Sequence, residues 1–194
     1  VLTDLDIANL CQGETPLVSP YADYDLKREQ TGKISWGVSS AGYDVRLGYD
    51  FKSFKYDAME IDIEIDPKHP SDEDFNSFSY PDDGNSSFIM EPNEFLLGTT
   101  MEEFNIPSNI MGLCISRSTY ARHGIICHTT PLMPGFRGQV TLEIKNTSNQ
   151  NVLIYPGEGI CQFIFFKMTG NAWADYAALG GKYMHQHGTT GPRA

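Results

Sequence analysis

From Ser116 to Glu143 the chain reads S-R-S-T-Y-A-R-H-G-I-I-C-H-T-T-P-L-M-P-G-F-R-G-Q-V-T-L-E. Arginines and hydroxyl residues crowd its start, and a lone acid ends an apolar strand pattern. A hydrophobic core has no use for that mixture. Arginine presents a planar fork of donors that matches phosphate oxygens, and serine and threonine hydroxyls fill the gaps around such a ligand. The run from Arg117 to Arg122 therefore reads as a grip for an anion, with Glu143 placed to do chemistry on what is held. One or two helical turns are expected over 118–123, with Ser118 or Thr119 as N-cap and free backbone N–H groups facing the anion.

Other chemistries lack their signatures. The chain has no G-x-x-x-x-G-K-S/T, no G-x-G-x-x-G and no G-x-S-x-G, so a P-loop, a dinucleotide fingerprint and a nucleophile elbow are all missing. It also has no H-x-E followed by P-C-x-x-C, the zinc signature of most nucleobase deaminases. His185 and His187 have no further ligand types close by in sequence. A zinc enzyme is not expected.

Hydrophobic residues make up 40% of the 194 positions, enough for one domain with a sizeable core. No window approaches the roughly 18 apolar residues of a membrane span, and the acidic start Val1-Leu-Thr-Asp-Leu-Asp does not read as a secretory leader. The net charge of −11, with acid concentrated over 57–83, argues against nucleic acid as a partner, because such binding runs on phosphate neutralisation. Cys11, Cys114, Cys127 and Cys161 are widely spaced and read as small buried hydrophobes in a reducing compartment. The expectation is a cytoplasmic protein with no membrane partner.

The elements that must position the site follow from pattern. Thr3 to Cys11 has helical spacing with a capping residue in front and Gly13 behind. Residues 14–36 read as a loop. From Tyr43, apolar and polar positions alternate as in a half-buried strand, leaving Asp44 and Arg46 on one face. They can pair with each other on the solvent side or meet a neighbouring subunit. Met59 to Ile65 alternates again, and 66–86 reads as a long acidic surface insertion. Two short strands flank the Pro92-Asn93 turn. Gly138 to Lys145 alternates, with Val140, Leu142 and Ile144 opposite Thr141, Glu143 and Lys145, and two further strands surround Pro156-Gly157. Many short strands with Gly/Pro turns indicate a mostly-β domain spanning 1–194. The Gly-rich end, 180–194, reads as a mobile tail or as a lid hinged on its glycines.

With these motifs in place, the chain resembles the dCTP deaminases, relatives of the trimeric dUTPases. The run Ser116 to Ile125 is similar to the family pattern G-R/K-S-S/T-x-A-R-x-G. Matching segments follow in order: Gly42-Tyr-Asp-Val-Arg-Leu-Gly upstream, then His128-Thr-Thr-Pro, Pro134-Gly-Phe-Arg-Gly, Val140-Thr-Leu-Glu-Ile, Glu158-Gly-Ile-Cys-Gln-Phe and Gly181-Lys-Tyr-Met-His-Gln-His-Gly. Only 14–36 and 66–86 fall outside. The resemblance implies a dUTPase-like distorted β-barrel of jelly-roll kind with one short N-terminal helix and a C-terminal lid. It further implies a homotrimer with sites between subunits and hydrolysis of dCTP to dUTP and ammonia, supplying dUTP for dTTP synthesis, with dTTP as a candidate inhibitor. Mg²⁺ enters with the triphosphate. Carried over by position, Glu143 is the catalytic acid/base, with Ser118 and Arg122 holding the water. Arg117, Ser118, Thr119, Tyr120, Ala121 and Arg122 hold the substrate from the motif, and Thr141, Leu142 and Glu143 line sugar and base. Gln162, Tyr176, Lys182 and Gln186 match ligand-contacting positions.

One departure bears on the reaction. The dUTPase relatives use an aspartate after the motif to activate water at the triphosphate, and here Met133 stands where that acid falls. A thioether cannot accept a proton, so dUTP and not dUMP is the expected product. The competing readings are a dUTP pyrophosphatase, a bifunctional enzyme yielding dUMP, and a non-catalytic nucleotide-binding relative.

Overall fold

The computed structural model describes residues 1–55 and 65–193; the alternating run 59–65 lies, except for Ile65, outside them. Helix α1 (Asp4–Leu10) begins where Thr3 accepts the Asp6 N–H and the Asp6 carboxylate accepts the Thr3 N–H, a reciprocal capping box. Ile7 is its buried anchor. The segment 14–36 is more regular than its polar composition predicts. It carries strand β1 (Val18–Ser19) and helix α2 (Tyr24–Arg28), the latter capped by Asp23. Leu17, Val18 and Ala22 go into the core, so a few apolar residues in a polar run suffice to dock it.

Strands β2 (Gly37–Ser39) and β3 (Gly42–Arg46) form a hairpin, and β4 (Asp50–Phe54) follows. The acidic insertion also yields a strand, β5 (Phe75–Ser79), which pairs antiparallel with β4. Phe75 against Phe54 and Phe78 against Phe51 stack across that pair, at 4.8 and 5.6 Å between ring centroids; these aromatics bring an otherwise loop-like sequence into the sheet. Then come β6 (Phe88–Met90), the long β7 (Phe95–Asn105), β8 (Ile110–Ser116) and the single-turn helix α3 (Ser118–Ala121). β9 (Ile125–His128), β10 (Arg137–Asn146), β11 (Val152–Ile154) and β12 (Gly159–Lys167) follow. The strands on either side of Pro92-Asn93 do not pair with each other: β6 pairs with β11, and β7 pairs with β10, β4 and β1.

The chain is mostly β, as expected. Its strands lie in a six-stranded sheet ordered β5-β4-β7-β10-β9 with β1 also on β7, a four-stranded sheet ordered β2-β3-β12-β8, and the β6/β11 pair. Among the described residues these are open, distorted sheets and not a closed barrel. Core residues such as Tyr43, Val45, Phe104, Leu142, Ile144, Phe163 and Phe165 are at most 2% exposed. No helix among the described residues is long and apolar enough to cross a membrane.

The strand of Tyr43 is not half-buried, because β3 lies between β2 and β12 and both of its faces are covered. Asp44 and Arg46 therefore do not pair with each other at the surface. Arg46 donates from Nε and from its backbone N–H to Glu102, at 2.8 and 2.9 Å, and the Glu102 side chain is completely buried. Burial pushes the Glu102 carboxyl above the usual carboxylate range, against the pull of the Arg46 charge. Asp44 takes Lys27 at 2.6 Å and lies 3.4 Å from Arg117 Nε.

Candidate active site

Strand β10 presents Glu143. Val140, Leu142 and Ile144 are buried on one face, and Thr141, Glu143 and Lys145 are half-exposed on the other, the alternation expected of this segment. Antiparallel register sets Glu143 directly opposite His128 on β9. Cross-strand partners stand within about 5 Å at Cβ, and here His128 Nδ1 lies 2.7 Å from Glu143 Oε2. The imidazole holds one carboxylate oxygen of a residue that lines a cavity. The segment His128-Thr-Thr-Pro belongs to the family pattern, but nothing in the sequence signals that 125–128 pairs with 143–146, and this is why the motif gives His128 no role.

Glu143 lies in the wall of a cavity of about 530 Å³. Thr141, Tyr176 and Gln186 share that wall with Met133 and the stacked rings of Phe54, Phe75 and Phe95. Its described lining includes neither arginine nor lysine. The tail closes one side. Gly138 bridges to Gln186 in parallel, Gln139 N–H donates to the Gln186 carbonyl, and Gln186 Nε2 returns a bond to the Gln139 carbonyl at 2.7 Å. Gln139 Oε1 accepts from Gly188 N–H and lies 2.6 Å from His187 Nδ1. Thr141 Oγ1 accepts from the Thr190 N–H. A β-bulge between Gln139 and Thr141 makes this possible, because the register shift turns the buried Gln139 toward the tail. Its backbone partners show the tail to be docked. The one buried side-chain acceptor without a partner among the described residues is Oε1 of Gln186, a residue of this cavity's wall.

The remaining sequence-derived residues lie elsewhere. β8 ends at Ser116 and turns into α3 at Arg117, which is the N-cap in place of Ser118 or Thr119. Its long side chain makes no cap bond and runs instead to the carbonyl and hydroxyl of Ser35. Gln162 Nε2 donates to Ser39 Oγ and to Asp44 Oδ1, at 2.8 and 3.1 Å, so Arg117 and Gln162 converge on Asp44. Ser118, Thr119, Ala121 and Arg122 are exposed, and Arg122 makes no ion pair among the described residues. Tyr120 is buried and its hydroxyl accepts the Tyr155 N–H at 3.1 Å; burial raises the phenol above its ordinary range and keeps it protonated. Leu142 is core. Lys182 is exposed and donates to the Arg193 carbonyl. One chain thus gathers Thr141, Glu143, Tyr176 and Gln186, and Arg117 to Arg122 are not part of that lining.

A β-rich domain, with a carboxylate cavity on one strand and an arginine-bearing strand-to-helix turn on another, is the class this geometry defines. The fold is that of the crystal structure of 2′-deoxycytidine 5′-triphosphate deaminase from Agrobacterium tumefaciens. That match has a TM-score of 0.58 at 17% identity over 84% of this chain, and the chain spans about half (46%) of that protein's length. The family model described as dCTP deaminase-like matches residues 13–168. A dCTP deaminase of Anaplasma phagocytophilum (strain HZ) is 43% identical over 91% of this chain and 89% of its own. Another, from Pelagibacter ubique (strain HTCC1062), is 42% identical over 100% of this chain and 98% of its own. The chain belongs to the dCTP deaminase-like family.

Proposed function

We propose that the protein hydrolyses dCTP to dUTP and ammonia, with Glu143 as the proton carrier. The observation that carries this reading is Glu143 itself: a carboxylate in a cavity wall, with one oxygen held by His128. Deamination needs a proton taken from water as its oxygen adds to C4, a proton delivered to N3, and a proton given to the departing amine. One carboxylate within reach of all three positions can relay them in turn. Gln186 Oε1, buried and unpartnered, offers an acceptor to an N–H of the ligand.

The triphosphate is held from a second copy. The described cavity lining has no cation to meet it, whereas the exposed Arg122 and the hydroxyls of Ser118 and Thr119 look outward from α3. In a homotrimer each cavity receives that turn from its neighbour, where Arg122 and Ser118 steady the water and the negative charge it develops. Mg²⁺ arrives as part of the nucleotide. Neither zinc nor another protein-held metal is assigned a step, since one carboxylate supplies the proton transfers. The product, dUTP, suits a supply route to dTTP, which makes dTTP a natural inhibitor of the same pocket.

Met133 lies in the cavity wall and has no basic atom with which to activate a second water at the phosphates, so the reaction stops at dUTP. Incubation with dCTP and Mg²⁺, followed by separation of dCTP, dUTP and dUMP, tests both halves. The expected result is dUTP with equimolar ammonia, reduced roughly 1,000-fold in Glu143→Gln, within the range for loss of a general acid–base. dUMP as the main product would overturn the role given to Met133. Tight dCTP binding without turnover would leave a binding protein in place of an enzyme.

A further inference from the structure

Three of the four cysteines converge. The Sγ atoms of Cys114, Cys127 and Cys161 all lie within 4.8 Å of one another, and all four cysteines of the chain are free. Two come from one sheet: Cys161 is registered with Ser116, and Phe163 with Cys114, so Cys114 and Cys161 are diagonal neighbours on one face of the β8/β12 pair. The third comes from β9 in the other sheet. Ser116 fixes its approach, donating to the Cys127 carbonyl at 3.0 Å and accepting the Cys127 N–H at 2.9 Å. Cys127 and Cys161 are essentially buried, while Cys114 is partly exposed and gives the cluster a way in from solvent.

We propose that Cys114, Cys127 and Cys161 form a three-sulfur site for a thiophilic monovalent cation, with Cu(I) the ion of matching preference. Soft thiolates select Cu(I), zinc and iron–sulfur centres over harder ions. Structural zinc sites are four-coordinate, and no fourth His, Cys, Asp or Glu joins this group among the described residues. His128 is next in sequence to Cys127, but alternation along β9 turns it to the opposite face, toward Glu143. A planar, three-coordinate ion is what three convergent sulfurs can satisfy unaided. Metal–sulfur bonds of about 2.3 Å set sulfurs roughly 4 Å apart around a trigonal ion, so the triad closes on its guest by less than an ångström. Each Cu–S bond that forms displaces a thiol proton to solvent. An ion there ties β8, β9 and β12, the strands that lead to Arg117, His128 and Gln162.

Reduced protein titrated with Cu(I) under nitrogen, in competition with a chromophoric Cu(I) chelator, tests this without reference to turnover. The expected result is one equivalent withheld from the chelator, with three sulfurs in the first shell by X-ray absorption. Changes just outside a metal's ligands already cost roughly 10- to 100-fold, so Cys161→Ala and Cys114→Ser are each expected to weaken retention by roughly 100-fold or more. Cys114→Ser changes the partly exposed member, so a loss of folding in the buried variant still leaves a readable result. Release of Cu(I) as readily as from the triple alanine variant would overturn the site. So would single variants that retain the ion, or Zn²⁺ held in preference to Cu(I).

Discussion

At the scale of the residue, the informative contact is His128 Nδ1 to Glu143 Oε2 at 2.7 Å. Glu143 stands on a strand, so its backbone is fixed by β7 on one side and β9 on the other, but a glutamate side chain still has three rotatable bonds. His128 removes that freedom at one oxygen. It touches no reacting atom in this reading and is a positioning residue. His128→Ala is expected to lower kcat roughly tenfold, the rate equivalent of about 1.4 kcal/mol, while KM for dCTP stays within a factor of two. His128→Asn, which keeps a donor at the same height, is expected to recover most of that loss. If alanine and asparagine are equally slow and both melt earlier than the parent, the histidine serves the sheet and not the carboxylate. Of the residues around the cavity, Glu143 was legible from the strand pattern and its motif, and Thr141, Tyr176 and Gln186 through the family resemblance. His128 and Gln139 were not, because their parts depend on strand register and on a bulge, and neither is written in local sequence.

At the scale of the element, the tail is the feature whose behaviour the sequence left open. Glycines and the lack of apolar periodicity indicate mobility or a hinge, yet 185–190 is held by β10 through backbone bonds and by Gln139 and Thr141 side chains. The anchoring contacts are polar, so hydrophobic patterning could not reveal them. The acidic insertion departs from its composition for a different reason, since Phe75 and Phe78 are two rings that convert a loop composition into a paired strand. Gly138 is where the docking is most vulnerable. Its φ is +127°, and a Cβ there would meet the Gln186 carbonyl oxygen at 2.8 Å and its nitrogen at 2.9 Å, both backbone atoms that cannot swing aside. Gly138→Ala is therefore expected to release the tail while β10 keeps its other pairings. Limited proteolysis should then cut within 181–193 in the variant and spare the parent, and KM for dCTP should rise more than kcat falls. Equal protection of both tails would mean that the bonds from Gln139 and Thr141 hold the segment without the bridge.

At the scale of the whole molecule, the decisive fact is that the described lining of the Glu143 cavity includes no arginine of its own chain. Glu143 lines a cavity with no described cation, and Arg122 stands on an exposed turn outside that lining. Both groups are readable in short local runs, but which of them lines the cavity is a property of the fold. If neighbouring copies complete each other's sites, two dead variants can make a living enzyme. Arg122→Ala and Glu143→Gln should each be nearly inactive alone, and each should run as a trimer by light scattering. Co-expressed in equal amounts, they assemble at random. A site works when the subunit giving the carboxylate is the arginine variant and the subunit giving the turn is the glutamate variant, which happens for roughly one site in four in a closed ring with head-to-tail interfaces. Activity near a quarter of the parent's is therefore expected from the mixture, with no recovery when the separately purified trimers are combined without subunit exchange. A mixture as inactive as its components would place Arg122 and Glu143 in the service of different sites.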